Sequence, residues 1–309
     1  MVELKNFIYR GFSAEYDDLM KMPIRRFGSI NKLVVDPDVS CRYIIQEHSC
    51  DLPIDFVYIP GSGNRLLVGF HGAEMRKIAD LPKFQFVGSL RSRTEPFVSF
   101  ADSTLLKNEK LSIGWYAGDS LFDLSRNIAE VIRKIEKVLN FTKTILMGHS
   151  AGGLAAIAIG MQIPNSHAIS VNGQTIAGIH RPWVIKNLYN SAFPELSSSE
   201  EMLERYPDRF DIRRMSSDRS SGATFTLFSH KDDPLSFSEY PHFPLLSEYF
   251  GLGSEGGLTE FGDALVPCRW ETLNPSAHAL PGTVLPFLQA TLGEAVGVPI
   301  TYDFVLPSR

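Results

Sequence analysis

Cysteine is scarce and its number is odd: Cys41, Cys50 and Cys268 are the only three in 309 residues. Such a set makes no disulfide framework, so reduced thiols are expected, although Cys41 and Cys50 could bridge in an oxidising compartment. Basic charge is not in excess either. The net charge is −5 with both signs interspersed, which argues against nucleic acid as a partner because phosphate binding needs a basic field. No apolar run reaches the length of a membrane span; the longest follows Ser150 and is short and glycine-rich. Residues 1–6 hold no apolar core of signal-peptide length, and a soluble cytoplasmic protein is the expectation. Internal repeats and low-complexity tracts are missing. His230 with Asp232 and Asp233 could be taken for a metal cluster, but no further ligand spacing supports it, so neither metal nor cofactor is expected.

What the chain does have is apolar content of 44%, enough for a large core, and an alternation of strands with helices. Residues 42–46 and 54–59 are rich in β-branched and aromatic types and read as strands. Further strands are expected at 66–70, 111–116, 144–147, 168–171, 225–228 and 269–273. An amphipathic helix is expected from about residue 121 to 139, with Ser120 as its N-cap. Continuous apolar strands alternating with helices imply a mostly parallel sheet covered on both faces. Residues 1–309 are read as a single domain, with N-terminal strands over 1–62 and an inserted cap over 174–221, where the alternation breaks. The tail 301–306 is strand-like and could pair with another subunit or lie on its own body.

The feature that carries chemistry is Gly148-His149-Ser150-Ala151-Gly152. It lies between an apolar strand and a small-residue helix, the context that a G-x-S-x-G nucleophile elbow requires. The serine stands on a tight turn, with a helix N-terminus beneath it to receive developing negative charge. A serine hydroxyl needs a base, and the base needs an orienting group. On this topology the order is serine, acid, histidine.

Of eight histidines, His48 and His71 precede the serine. His149 is held inside the elbow, His167 begins a strand and His180 begins the cap. His278, in the loop after the last core strand, is the expected base; His242 is expected to be a surface or packing residue. Asp232 and Asp233 compete for the acid. Asp233 is preferred because Pro234 biases it towards an extended backbone. The oxyanion donors are expected to be the N–H groups of Ala151 and of Ala73, the latter in the loop His71-Gly72-Ala73-Glu74.

Together these residues resemble the α/β-hydrolase superfamily, in order and spacing, from about residue 40 to 295. The resemblance implies an α/β-hydrolase fold, with an eight-stranded, mostly parallel sheet, helices on both faces and an inserted cap. It also implies ester, thioester or amide cleavage through an acyl-serine, most simply by a carboxylesterase. A second likeness rests on Gly114-Trp115-Tyr116-Ala117-Gly118, the elbow, and Asn172-Gly173-Gln174-Thr175. These look like motifs of bacterial α/β-hydrolase-like proteins linked to surface-polysaccharide assembly, with Gly173 in place of a proline. That likeness implies a small-molecule or glycan ester as substrate, with Asn172 and Gln174 as polar substrate contacts. Trp115 and Tyr116 are expected to pack. An acyltransferase and a non-catalytic binding module on the same fold are the competing readings.

Overall fold

A computed structural model describes residues 9–47, 49–76, 80–272, 276–302 and 306. Residues 1–6, His48, the 274–275 part of the base loop and the 303–305 part of the tail lie outside these. Twelve strands form one sheet. The first four are β1 (Tyr16–Asp17), β2 (Met22–Phe27), β3 (Cys41–Ile45) and β4 (Ile54–Ile59). Then come β5 (Arg65–Phe70), β6 (Phe97–Phe100), β7 (Lys143–His149) and β8 (His167–Val171). The last are β9 (Thr224–His230), β10 (Gly257–Leu258), β11 (Ala264–Trp270) and β12 (Ile300–Thr301). Their spatial order is β1-β2-β3-β4-β6-β5-β7-β8-β9-β11-β10, with β12 also on β11.

The stretch β6-β5-β7-β8-β9-β11 is parallel throughout. The expected eight-stranded sheet is therefore corrected to a mixed one of twelve. The N-terminal strands join its edge through the antiparallel β3–β4 and β4–β6 pairs. At the opposite edge the two-residue strands β10 and β12 pair antiparallel with β11. The tail thus begins on its own sheet.

The continuous apolar strands are explained by burial on both sides. Leu66, Val68, Phe70 and Leu146 point into one core, and Leu67, Ile145, Met147 and Ile169 into the other. The first core is covered by α1 (Leu124–Leu139) and α2 (Ala151–Gly160). α2 is buried at every position, which fits its lack of any polar face. The segment 174–221 forms α3 (Pro182–Ala192), α4 (Ser199–Arg205), α5 (Pro207–Phe210) and α6 (Ile212–Met215). It divides its work: α5 and α6 pack beside α2, while the start of α3 reaches the mouth of the site. Next come α7 (Pro234–Phe237), α8 (His242–Tyr249) and α9 (Leu285–Leu292), the last covering the second core. No helix among the described residues is long and apolar enough to cross a membrane.

Two local expectations fail for identifiable reasons. Residues 111–116 are not a strand. Trp115 (φ 51°) and Tyr116 (φ 57°) adopt left-handed backbone, which no extended strand contains. The helix starts at Leu124, with Asp123 rather than Ser120 as the cap; the Asp123 carboxylate accepts the Arg126 N–H at 3.0 Å. Leu121 is left 94% exposed, off the helix face assigned to it.

Candidate active site

Strand β7 delivers Ser150 at its carboxyl end, as the N-cap of α2, with φ 57° and ψ −121°. A non-glycine residue there is strained by about 1–3 kcal/mol. The strain is held by the packing around it. The Ser150 N–H donates to Val171 O at 3.0 Å. A Cβ on Gly148 would lie 1.8 Å from Gly152 O, and one on Gly152 would lie 2.5 Å from Phe70 O. Only glycines let the turn close on itself and on β5.

Ser150, His278 and His149 line one pocket of about 320 Å³ with Gly72, Ala73 and Gln174. Asp233 is fully buried and caps α7. Its Oδ2 accepts from His278 Nδ1 at 2.8 Å and from Ser236 Oγ at 2.6 Å, and its Oδ1 accepts from Leu235 N–H at 3.1 Å. Burial pushes this carboxyl up, but the bond and charge of His278, then Ser236 and Leu235, outweigh it and leave it below the ordinary aspartate value. In the neutral ring, Nδ1 donating to a carboxylate leaves the lone pair on Nε2 of His278. Asp232 instead pairs with Arg269 on the surface, at 2.9 and 3.0 Å.

Among the described residues the hydrogen-bond partner of Ser150 Oγ is Gln174 Nε2 at 3.1 Å, not His278. Gln174 Oε1 accepts from Trp115 Nε1 at 2.8 Å. Gln174, 3% exposed, was expected to meet substrate; it lines the pocket, and its amide is engaged at both ends, by Ser150 and by Trp115. Asn172 differs from its expectation more plainly. It is 1% exposed and does not line the pocket. Its Nδ2 donates to Ala277 O and His278 O at 3.0 and 3.1 Å, and its Oδ1 accepts the His230 N–H at 2.8 Å. Placed after β8 with φ 45°, it ties the base loop to the end of β9.

His149 is a second tie that the sequence did not disclose. Its Nε2 donates to His278 O at 2.6 Å, and the two rings lie 4.9 Å apart. Burial, then the neighbouring His278, lowers its pKa to about 4, so the ring is neutral at pH 7. The residue between Gly148 and Ser150 stands beside any base that approaches the serine, and that position was the available signal.

The loop after β5 is held in the same manner. His71 Nδ1 donates to Gly72 O at 2.8 Å, and its Nε2 accepts the Asp102 N–H at 3.0 Å. Burial lowers this imidazole to about 4 as well. The Tyr116 hydroxyl accepts the His71 N–H at 2.8 Å and donates to Phe100 O at 3.0 Å. Asp102, raised by burial to about 6, accepts the Tyr116 N–H at 3.1 Å. Fixing Gly72 O fixes the plane of the Gly72–Ala73 peptide, and so the direction of the Ala73 N–H. Among the described residues neither the Ala73 nor the Ala151 N–H has a backbone or side-chain acceptor. Trp115 and Tyr116 do pack, at 1% exposure each, but their polar tips also hold Gln174 and this loop.

A wider cleft of about 750 Å³ adjoins the pocket, reached past Ala73, Ile113, His180 and Arg181. Met75 and Trp183 stand on it, 71% and 57% exposed.

No protein-family model and no curated protein matches the chain. Among solved structures it is similar to a capsule O-acetyltransferase of Neisseria meningitidis serogroup A, at 20% identity over 65% of this chain and 81% of that one, with a TM-score of 0.46. It is also similar to an S-formylglutathione hydrolase from Agrobacterium tumefaciens, at 14% identity over 70% and 83%, with a TM-score of 0.46. A third similar structure is FphF, a fluorophosphonate-binding serine hydrolase of Staphylococcus aureus, at 11% identity over 70% and 88%, again with a TM-score of 0.46. Each of these likenesses is distant.

Proposed function

We propose that the chain is an acyl-serine enzyme of the α/β-hydrolase type that cleaves a carboxylic ester. The observation that carries this is the 2.8 Å bond from His278 to the buried Asp233, in the wall of the pocket that holds Ser150 on its elbow. In this reading His278 Nε2 takes the Ser150 proton as Oγ attacks the ester carbonyl, and Asp233 stabilises the imidazolium. The oxyanion is met by the N–H groups of Ala151 and Ala73. Collapse breaks the bond to the alcohol, which leaves with the proton from His278. Water, deprotonated by the same imidazole, then releases the acid and regenerates Ser150. The resting serine bonds to Gln174 rather than His278, and contact with the base forms on substrate binding, as apo sites commonly require.

A fluorophosphonate probe tests the reading directly. Ser150 is labelled in the parent chain, and labelling is lost in Ser150→Ala and falls at least about a thousandfold in rate in His278→Ala. A well-folded parent that does not label is a binding module instead.

The adjoining cleft supports a second reading, in which an alcohol replaces water and the acyl group is transferred. A glycan hydroxyl is the acceptor class suggested by the sequence likeness. Adding glycan acceptors to an ester assay then yields a new ester at the expense of free acid; an unchanged yield of acid excludes transfer to them.

A further inference from the structure

The acyl-serine chemistry leaves one imidazole beside Ser150 without employment. His180 is 5% exposed, and its ring borders both the nucleophile pocket and the wider cleft. It sits edge-on to Trp115, with centroids 6.0 Å apart and planes at 90°, and tilts against Tyr240 at 5.1 Å. Its ring plane is therefore set by packing. Among the described residues neither ring nitrogen has a hydrogen-bond partner, and Nδ1 is fully buried. Next to it, 6.3 Å between centroids, lies His242. His242 Nδ1 accepts the Thr175 N–H at 3.2 Å, so its proton is on Nε2, which is likewise buried and unpartnered.

Burial, then Arg181 and His278, holds the His180 pKa down at about 4. At neutral pH the ring is uncharged and offers one donor and one acceptor. Buried polar atoms are normally paired, and those that are not call for an explanation. Nδ1 is closed off, so the nitrogen that can meet a substrate at the threshold between the two cavities is Nε2, which lies outside the fully buried set.

We propose that His180 is the recognition group of this site, hydrogen-bonding a hydroxyl or carbonyl that the ester carries away from its scissile bond. The proposal rests on the acyl-serine reading of Ser150. Its consequence is a preference for oxygenated esters over alkyl esters of the same shape. A site built to bond a polar group rejects the analogue that lacks it, because the bound analogue covers the site's own polar atom without pairing it.

Two matched pairs test this: glyceryl against propyl butyrate for the alcohol side, and aryl 3-hydroxybutyrate against aryl butyrate for the acyl side. In the parent chain at least one pair shows a kcat/KM ratio of about tenfold or more in favour of the oxygenated member. His180→Phe keeps the packing on Trp115 and Tyr240 and removes both nitrogens. It brings that ratio towards one, partly by raising turnover of the alkyl ester. His180→Gln, which keeps a donor and an acceptor, retains an intermediate ratio and carries the test if the phenylalanine variant misfolds. Fluorophosphonate labelling of Ser150 is measured in parallel. Absence of labelling in the parent overturns the acyl-serine reading. Normal labelling with no preference in either pair, or with a ratio that both variants leave intact, overturns the role of His180.

Discussion

Arg42 and His180 are both polar and buried, yet among the described residues one is bonded at every nitrogen and the other at none. In the N-terminal strands, Arg42 Nε and Nη2 donate to Asp55 at 3.0 and 2.6 Å, and Nη1 donates to Asp17 at 3.0 Å and to Arg10 O at 2.7 Å. The Tyr9 hydroxyl completes Asp55 at 2.6 Å. Around Ser150 the buried imidazoles divide. His71 and His149 are committed to backbone carbonyls, whereas among the described residues His180 and His242 keep unpartnered nitrogens. A completed network fixes structure, whereas an unpartnered buried atom calls for an explanation.

Four experiments break or sharpen that contrast. Asp233→Asn has the largest effect on turnover: kcat/KM falls by about 10³–10⁴ through the wrong imidazole tautomer, while the urea midpoint moves little. Arg42→Ala does the reverse. It strands Asp17 and Asp55 in the interior and costs about 3–5 kcal/mol of stability by denaturant titration, with Ser150 labelling intact in the molecules that remain folded.

Acid comes third. His71 and His149 sit near pKa 4 in the fold against about 6.5 unfolded. As pH falls below about 6.5 the unfolded chain takes the protons first. Stability is therefore complete above that pH and declines towards pH 4, by on the order of 2–3 kcal/mol per imidazole. Asp102, raised to about 6, acts in the opposite sense, so the measurement is the difference in denaturant midpoint between the parent and His149→Phe at each pH. The decline is shallower in the variant. Smallest is Gln174→Leu, which frees Ser150 Oγ and lowers kcat by about tenfold with little change in KM, the equivalent of one hydrogen bond of about 1.4 kcal/mol. A rise in KM with kcat unchanged would make Gln174 a substrate contact instead.

The sequence was most legible where local chemistry and topology coincide. Gly148, Ser150 and Gly152 announce a tight strand–turn–helix junction, and the alternating strands and helices announce a parallel sheet. Asp233 and Asp232 were separable in part because Pro234 restrains only one of them. The edges were less legible. β6 has four residues, and β10 and β12 two each, too short for a period-2 pattern to register. The left-handed pair at Trp115 and Tyr116 looks extended by composition, because β propensity measures fit to a pleated surface and not backbone geometry. Asn172 and Gln174 were assigned to substrate by their polarity. The partners they have within the fold, Ala277, His278, Trp115 and Ser150, are set by long-range packing that no local window contains.

The carbonyl of His278 is gripped by His149 at the end of β7 and by Asn172 just beyond β8. His278 is thus moored to the same central strands that present Ser150. Heating should not shake it loose ahead of the sheet itself. Loss of the proposed ester turnover and loss of near-ultraviolet circular dichroism would then share one melting curve, where an untethered loop would cost activity several degrees earlier.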